Sequence, residues 1–165
     1  MNIFKIYWGY RNFGLSYGLP TLHIEMGPGI SYSPEALLEK VVKGGLQKDN
    51  WVLLSGNPTR EKGSGVLVDG LKFIRTKVEI EEDGKSPAPG WFPKPDRWIV
   101  DWVDKGPFNY GALRSRQDML VCRSSNIDTF LESTKKLNCI KVIICKDVVS
   151  VWEKVRCLEV RVYAK

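Results

Sequence analysis

Trp51-Val-Leu-Leu-Ser-Gly-Asn-Pro-Thr-Arg60 decides how this chain is read. Its first half is an apolar run of strand length, and Ser55-Gly56-Asn57-Pro58 is a turn that cannot prolong a strand. In an α/β protein, ligand crevices form beyond the carboxyl ends of strands, so this turn marks a candidate site.

Outward from that stretch the chain alternates strand and helix patterns. Upstream, Ile3 to Trp8 alternates apolar and polar residues, and a permissive loop runs from Gly9 through Arg11, Asn12 and Gly14 to Gly18. Thr21 to Met26 is a second strand, closed by Gly27-Pro28-Gly29. Ser33-Pro34-Glu35 starts a helix as N-cap, first residue and first-turn acid, and Gly44-Gly45 ends it. Downstream, Val66 to Ile74 has helical spacing and Lys77 to Glu81 reads as a strand. Residues 82–95 hold four prolines and two glycines beside Trp91 and Phe92, a long loop suited to be a lid or an interface. Trp98 to Val103, ended by Gly106-Pro107, and Met119 to Cys122 are strands. A helix from Asn126 to Leu137, a strand from Ile140 to Cys145, a short helix from Asp147 to Trp152 and a strand from Leu158 to Tyr163 complete the pattern. The alternation predicts one α/β domain over residues 1–165 with a mostly parallel sheet.

Composition bounds the function. The chain has 165 residues, 43% hydrophobic and 27% charged, with a formal charge of +6. No apolar run reaches the length of a membrane span, and the N-terminus reads as a strand rather than a signal peptide, so a cytoplasmic protein is expected. The cations Arg114, Arg116, Lys135, Lys136, Arg156 and Arg161 are scattered among acids, which favours a solvated basic surface over a nucleic-acid face. Exposed Trp91, Phe92 and Tyr110 beside cations are the features a single-strand-binding module would use. The four cysteines, Cys122, Cys139, Cys145 and Cys157, have neither zinc-ribbon nor iron–sulfur spacing and read as buried free thiols. The single histidine, His23, reads as a packed strand residue.

Taken together, the segments resemble the carboxy-deazaguanine synthase branch of the radical S-adenosylmethionine enzymes. The likeness is a string of short motifs in order over nearly the whole chain. Ile3-Phe4 and the loop from Gly9 to Gly18 resemble that family's first strand and substrate loop, and Pro20-Thr21-Leu22-His23-Ile24-Glu25 its Pro-Thr-x-Phe-x-Arg strand. Ser55-Gly56-Asn57-Pro58 is similar to the turn that holds the cofactor's amino group. Glu81-Glu82-Asp83-Gly84-Lys85 is similar to the Glu-Thr-Asn-Gly-Thr motif, Val103-Asp104-Lys105 to a Ser-Pro-Lys motif, and Val142-Ile143-Ile144 to a late Val-Val-Ile strand. The resemblance implies an open, partial β/α barrel, a dimer, and a nucleoside or S-adenosylmethionine site drawn from Ser55, Gly56, Asn57, Pro58, Glu81, Asp83, Lys105, Glu25 and Tyr10.

The departures imply a degenerate relative. The family's cluster loop holds three cysteines, whereas residues 27–32 read Gly-Pro-Gly-Ile-Ser-Tyr. Without thiolates there no iron–sulfur cluster is expected, and with it goes the radical reaction. Glu25 stands where the family has a carboxylate-binding arginine, and Tyr10 where it has a glutamate. The expectation is a non-catalytic protein binding a nucleoside-like ligand or a protein partner. The alternatives are a different, non-radical enzyme using Glu25, Glu79, Glu81, Asp83, Asp101, Asp104 and Lys105, or a nucleic-acid-binding module.

Overall fold

A computed structural model describes residues 1–11, 18–85, 89–105, 113 and 115–165. Asn12 and Gly14 of the glycine loop, part of the Pro-rich loop (86–88), Gly106-Pro107, Tyr110 and Arg114 lie outside the described residues. The chain is α/β with mostly parallel strand pairing, and it divides into two compact units: Met1–Glu82 with Ala88–Arg97, and Asp83–Pro87 with Trp98–Lys165.

The first unit contains β1 (Asn2–Tyr10), β2 (Pro20–Ser31), α1 (Pro34–Lys43), β3 (Trp51–Ser55), a 3-10 turn at Pro58–Arg60, α2 (Ser64–Phe73) and β4 (Lys77–Glu82). β1 and β2 form an antiparallel hairpin, and β2, β3 and β4 run parallel with Thr21, Trp51 and Lys77 in one row. Each parallel step is made through a helix, and right-handed crossovers bring both helices to one face of the sheet. That face is aliphatic. Leu22, Ile24 and Met26 of β2, Val52 and Leu54 of β3, and Val78 and Ile80 of β4 are buried, as are Leu37 and Val41 of α1 and Leu67, Val68 and Leu71 of α2. Ser33 caps α1 by accepting a 3.1 Å hydrogen bond from the Ala36 N–H, and Pro34 follows as the first helical residue.

One expectation changes here. Gly27-Pro28-Gly29 does not end β2. The strand continues to Ser31, with Met26 and Ile30 both opposite Ile3, so the residues between them form a bulge in the hairpin. Glycine makes this possible, because a Cβ on Gly29 would stand 2.1 Å from the Ile3 carbonyl oxygen. The segment is then tied down by the Met1 ammonium, which donates to the Tyr32 carbonyl at 2.9 Å.

The second unit contains β5 (Arg97–Asp101) from Trp98 onward, β6 (Met119–Cys122), α3 (Ile127–Thr134), β7 (Ile140–Cys145), α4 (Val148–Val155) and β8 (Val160–Ala164). All its strand pairs are parallel and follow chain order. Its core is formed by Ile99, Val100, Leu120, Val121, Cys122, Phe130, Val142, Ile143 and Val155, with Trp102 edge-on to Phe130 at 5.5 Å. The buried Asp118 carboxylate joins the start of β5 to the turn before β6, accepting from the Trp98 and Ser115 N–H groups at 2.9 and 2.7 Å. α3 stops at Thr134 rather than Leu137. The Thr134 and Ser133 hydroxyls both donate to the Phe130 carbonyl, at 2.6 and 3.2 Å, which competes with continued backbone bonding. Among the described residues no helix is long and apolar enough to cross a membrane.

Candidate functional site

Strand geometry alternates side chains between the two faces of a sheet. In the first unit the even positions of β2, β3 and β4 form the aliphatic face, so the odd positions face the other way. Those odd positions are mostly polar on β2 and β4, while β3 adds Trp51 and the buried Leu53. They include His23 and Glu25 on β2, Ser55 on β3, and Glu79 and Glu81 on β4. β1 adds Tyr7, paired with His23, and Lys5, paired with Glu25. Glu25 lies beside Ser55 in register, the last pair of β2 with β3, and Glu81 follows Ile80, the partner of Leu54, so Glu25, Ser55 and Glu81 form a row where the parallel pairing ends.

The contacts on this face are specific. The Tyr7 hydroxyl donates to Glu25 Oε1 at 2.9 Å. The Tyr7 ring stacks on His23 with centroids 4.7 Å apart and planes 20° from parallel, while Lys5 Nζ lies 4.4 Å from the Tyr7 centroid. Gly9 makes room for the imidazole: a Cβ there would stand 3.2 Å from His23 Nε2. Buried Arg11 places Nη1 3.9 Å from Glu81 Oε2. Deeper in the face, Arg97 and Glu79 form an ion pair at 3.3 Å with both side chains 1% exposed.

His23 Nε2 is buried and has no hydrogen-bond partner. A buried polar nitrogen left unsatisfied costs about 1–3 kcal/mol, so in a native structure such a group calls for an explanation. Burial lowers the His23 pKa, and the Arg11 charge lowers it further against the opposing pull of Glu25 and Glu81. The ring is therefore neutral at pH 7, offering one N–H donor and one bare acceptor nitrogen. Burial raises the Tyr7 pKa, and the bond to Glu25 raises it further, so the phenol keeps its proton and stays a donor. The face thus presents a neutral imidazole, a phenol, carboxylates from three strand positions and two guanidinium groups. That set suits a ligand rich in N–H donors.

The Ser55–Pro58 turn is rigid for local reasons. Gly56 has φ of 81°, and a Cβ on it would stand 2.1 Å from the Met26 carbonyl oxygen. Asn57 is also left-handed, at φ 58°. The Thr59 N–H donates to the buried Glu82 carboxylate at 2.9 Å, and the Ser64 hydroxyl lies 2.6 Å from the Pro58 carbonyl. Pro58 and Thr59 are buried, which leaves Ser55 and Asn57, both half-buried, as the side chains of the turn nearest solvent apart from the glycine.

The structure brings Glu25, Ser55 and Glu81 together and sets Gly56, Asn57 and Pro58 directly after that row. Tyr10 is not in it. It stands two residues beyond Trp8 on the opposite face from Tyr7 and is 73% exposed. Asp83 belongs to the second unit, where its side chain accepts from the Lys85 N–H at 3.0 Å and shapes a turn. Lys105 is exposed in the same unit, and Asp104 is occupied by Ser124 and Asn126 at 2.9 and 2.7 Å. Sequence reasoning missed Tyr7, Arg11 and Arg97 as site residues and took His23 for packing. The signal was available in the alternation of β2 and β4, where His23, Glu25, Glu79 and Glu81 alternate with Leu22, Ile24, Val78 and Ile80.

All four cysteines are free thiols in the second unit, and they differ in burial: Cys122 is buried, Cys139 and Cys145 half-buried, Cys157 exposed. Burial pushes the Cys122 thiol up to about 11 and raises the pKa values of Cys139 and Cys145. Among the described residues, no three or more His, Cys, Asp or Glu side chains gather into a metal-holding group. No protein-family model, curated protein or solved structure matches the chain.

Proposed function

We propose that this protein is a non-catalytic relative of the carboxy-deazaguanine synthase branch of radical S-adenosylmethionine enzymes, with a partial β/α barrel of that type. In this reading it binds a nucleoside-like ligand on the polar sheet face of the first unit. The observation that carries the binding proposal is the partnerless buried His23 Nε2 beside the Tyr7–Glu25 hydrogen bond. A purine-type ring offers an N–H to the imidazole nitrogen, beside the Tyr7–Glu25 hydrogen bond. The resemblance of Ser55-Gly56-Asn57-Pro58 to an amino-group-binding turn supports the same end of the sheet. The loss of radical chemistry is supported by residues 27–32, which contain no cysteine and in which Gly27 to Ser31 are taken up in strand β2.

Calorimetric titration of the metal-free protein with S-adenosylmethionine, S-adenosylhomocysteine and adenosine tests this. One-to-one saturable binding to at least one of them, lost in Glu25→Ala and in Asn57→Ala, is expected. At about 100 times Kd such a ligand adds ~2.7 kcal/mol of stability, a rise in Tm of roughly 5–11 °C for a chain of this size. No heat and no thermal shift with any of the three refutes the proposal.

A further inference from the structure

The second unit carries a recess at the amino ends of β6, β7 and β8, independent of the polar sheet face of the first unit. Three connections build it. The turn before β6 contributes Arg116, the link from α3 to β7 contributes Asn138 and Cys139, and the link from α4 to β8 contributes Leu158 and Glu159. Arg161, the second residue of β8, completes the wall. The recess measures about 430 Å³, within the range of about 300–1,000 Å³ usual for small-molecule sites.

Charge defines one part of what it would hold. Among the described residues, neither Arg116 nor Arg161 has an ion pair or a side-chain hydrogen bond, although Glu159 lines the same recess. Both stand on fixed backbone. Arg161 lies opposite Val142 in the β7–β8 pairing, and Arg116 lies in a turn closed by Asp118, which accepts from the Ser115 N–H at 2.7 Å. Two guanidinium groups and the Asn138 amide match the oxygens of a phosphate, whose double charge outweighs the single carboxylate of Glu159. Burial raises the Cys139 pKa, so its thiol is uncharged at pH 7 and does not repel an anion.

Apolar surface defines the other part. Leu158 lines the recess while 51% exposed, and Ile140 and Val160 line it from the first residues of β7 and β8. An organic group joined to the phosphate would take this surface out of water. We propose that the recess binds a small phosphomonoester, with its phosphate between Arg116 and Arg161 and its organic part against Leu158, Ile140 and Val160. A phosphodiester chain would need a basic groove that continues along it. In this unit Arg123, Lys135 and Lys154 are instead paired with Asp101, Glu132 and Asp128, which favours a terminal phosphate on a small molecule.

Calorimetric titration of the full chain with phenyl phosphate tests the assignment, at an ionic strength of about 0.15 M where exposed charges beyond about 8 Å are screened. Saturable one-to-one binding with Kd below about 1 mM is expected, and inorganic phosphate should bind at least tenfold more weakly. Arg116→Gln and Arg161→Gln should each weaken phenyl phosphate at least tenfold, as loss of a charge-assisted hydrogen bond does. Both side chains are exposed, so the far-ultraviolet circular dichroism of each variant should match the parent. Glu159→Gln should tighten binding. Lys62→Gln, which removes an exposed charge from the first unit, should leave it unchanged. Bound phenyl phosphate should also slow alkylation of Cys139 but not of Cys145, which is equally half-buried at the other end of β7. No saturation, equal affinity for inorganic phosphate, or binding untouched by both arginine variants overturns the proposal. So does equal loss in Lys62→Gln, or displacement of phenyl phosphate by an oligothymidylate without terminal phosphates, which would mark a nucleic-acid backbone as the occupant.

Discussion

Replacing Arg97 with Met removes the buried ion-pair partner of Glu79 inside the first unit. The pair is 3.3 Å apart with both side chains 1% exposed. At an effective dielectric of about 20 the attraction is 332/(20 × 3.3), or about 5 kcal/mol, and removing one partner of a buried pair typically costs ~3–5 kcal/mol. The loss is therefore roughly 4 kcal/mol, a fall in Tm of about 8–16 °C. Urea unfolding of Arg97→Met and of the parent at pH 7 measures it. The double variant Glu79→Leu/Arg97→Met should recover most of the loss, because a packed apolar pair replaces a buried ion pair at little or no cost. A loss under about 1 kcal/mol at pH 7 would refute the reasoning.

Three further outcomes are expected. The His23 pKa is lowered from 6.5 in the folded protein, so the unfolded chain binds the extra proton and stability falls as pH drops below that value. His23→Gln should therefore show a shallower loss of stability between pH 7 and pH 5 in urea titrations, and equal slopes would contradict a neutral buried imidazole. Gly56→Ala forces a Cβ to 2.1 Å from the Met26 carbonyl oxygen at a φ of 81°, and should destabilise by more than about 2 kcal/mol in the same assay. In timed alkylation followed by mass spectrometry at pH 8, exposed Cys157 should label first and Cys122, buried with its thiol pushed up to about 11, last. Early labelling of Cys122 would mean that the second unit opens more readily than its packing implies.

Some of this protein could be read from local chemistry alone. The order of strands and helices was legible, because apolar runs, Ser33-Pro34 and the glycines after α1 act over a few neighbouring residues. So was the Ser55–Pro58 turn, since Gly56 and Asn57 tolerate the left-handed backbone that ends β3. Other features depend on residues distant in sequence. Gly27-Pro28-Gly29 reads as a strand end, yet becomes a bulge because Asn2 and Ile3 pair with Ser31 and Ile30. Tyr7, His23 and Glu25 become one group only when the β1–β2 register sets them side by side. Arg97 meets Glu79 across a gap of 18 residues, and a charge that composition would assign to solvent becomes a buried partner. Period-two alternation told which side chains share a face of a strand. Which of them touch, and which lose water, was decided by strand pairing and burial, properties of the assembled sheet rather than of any segment.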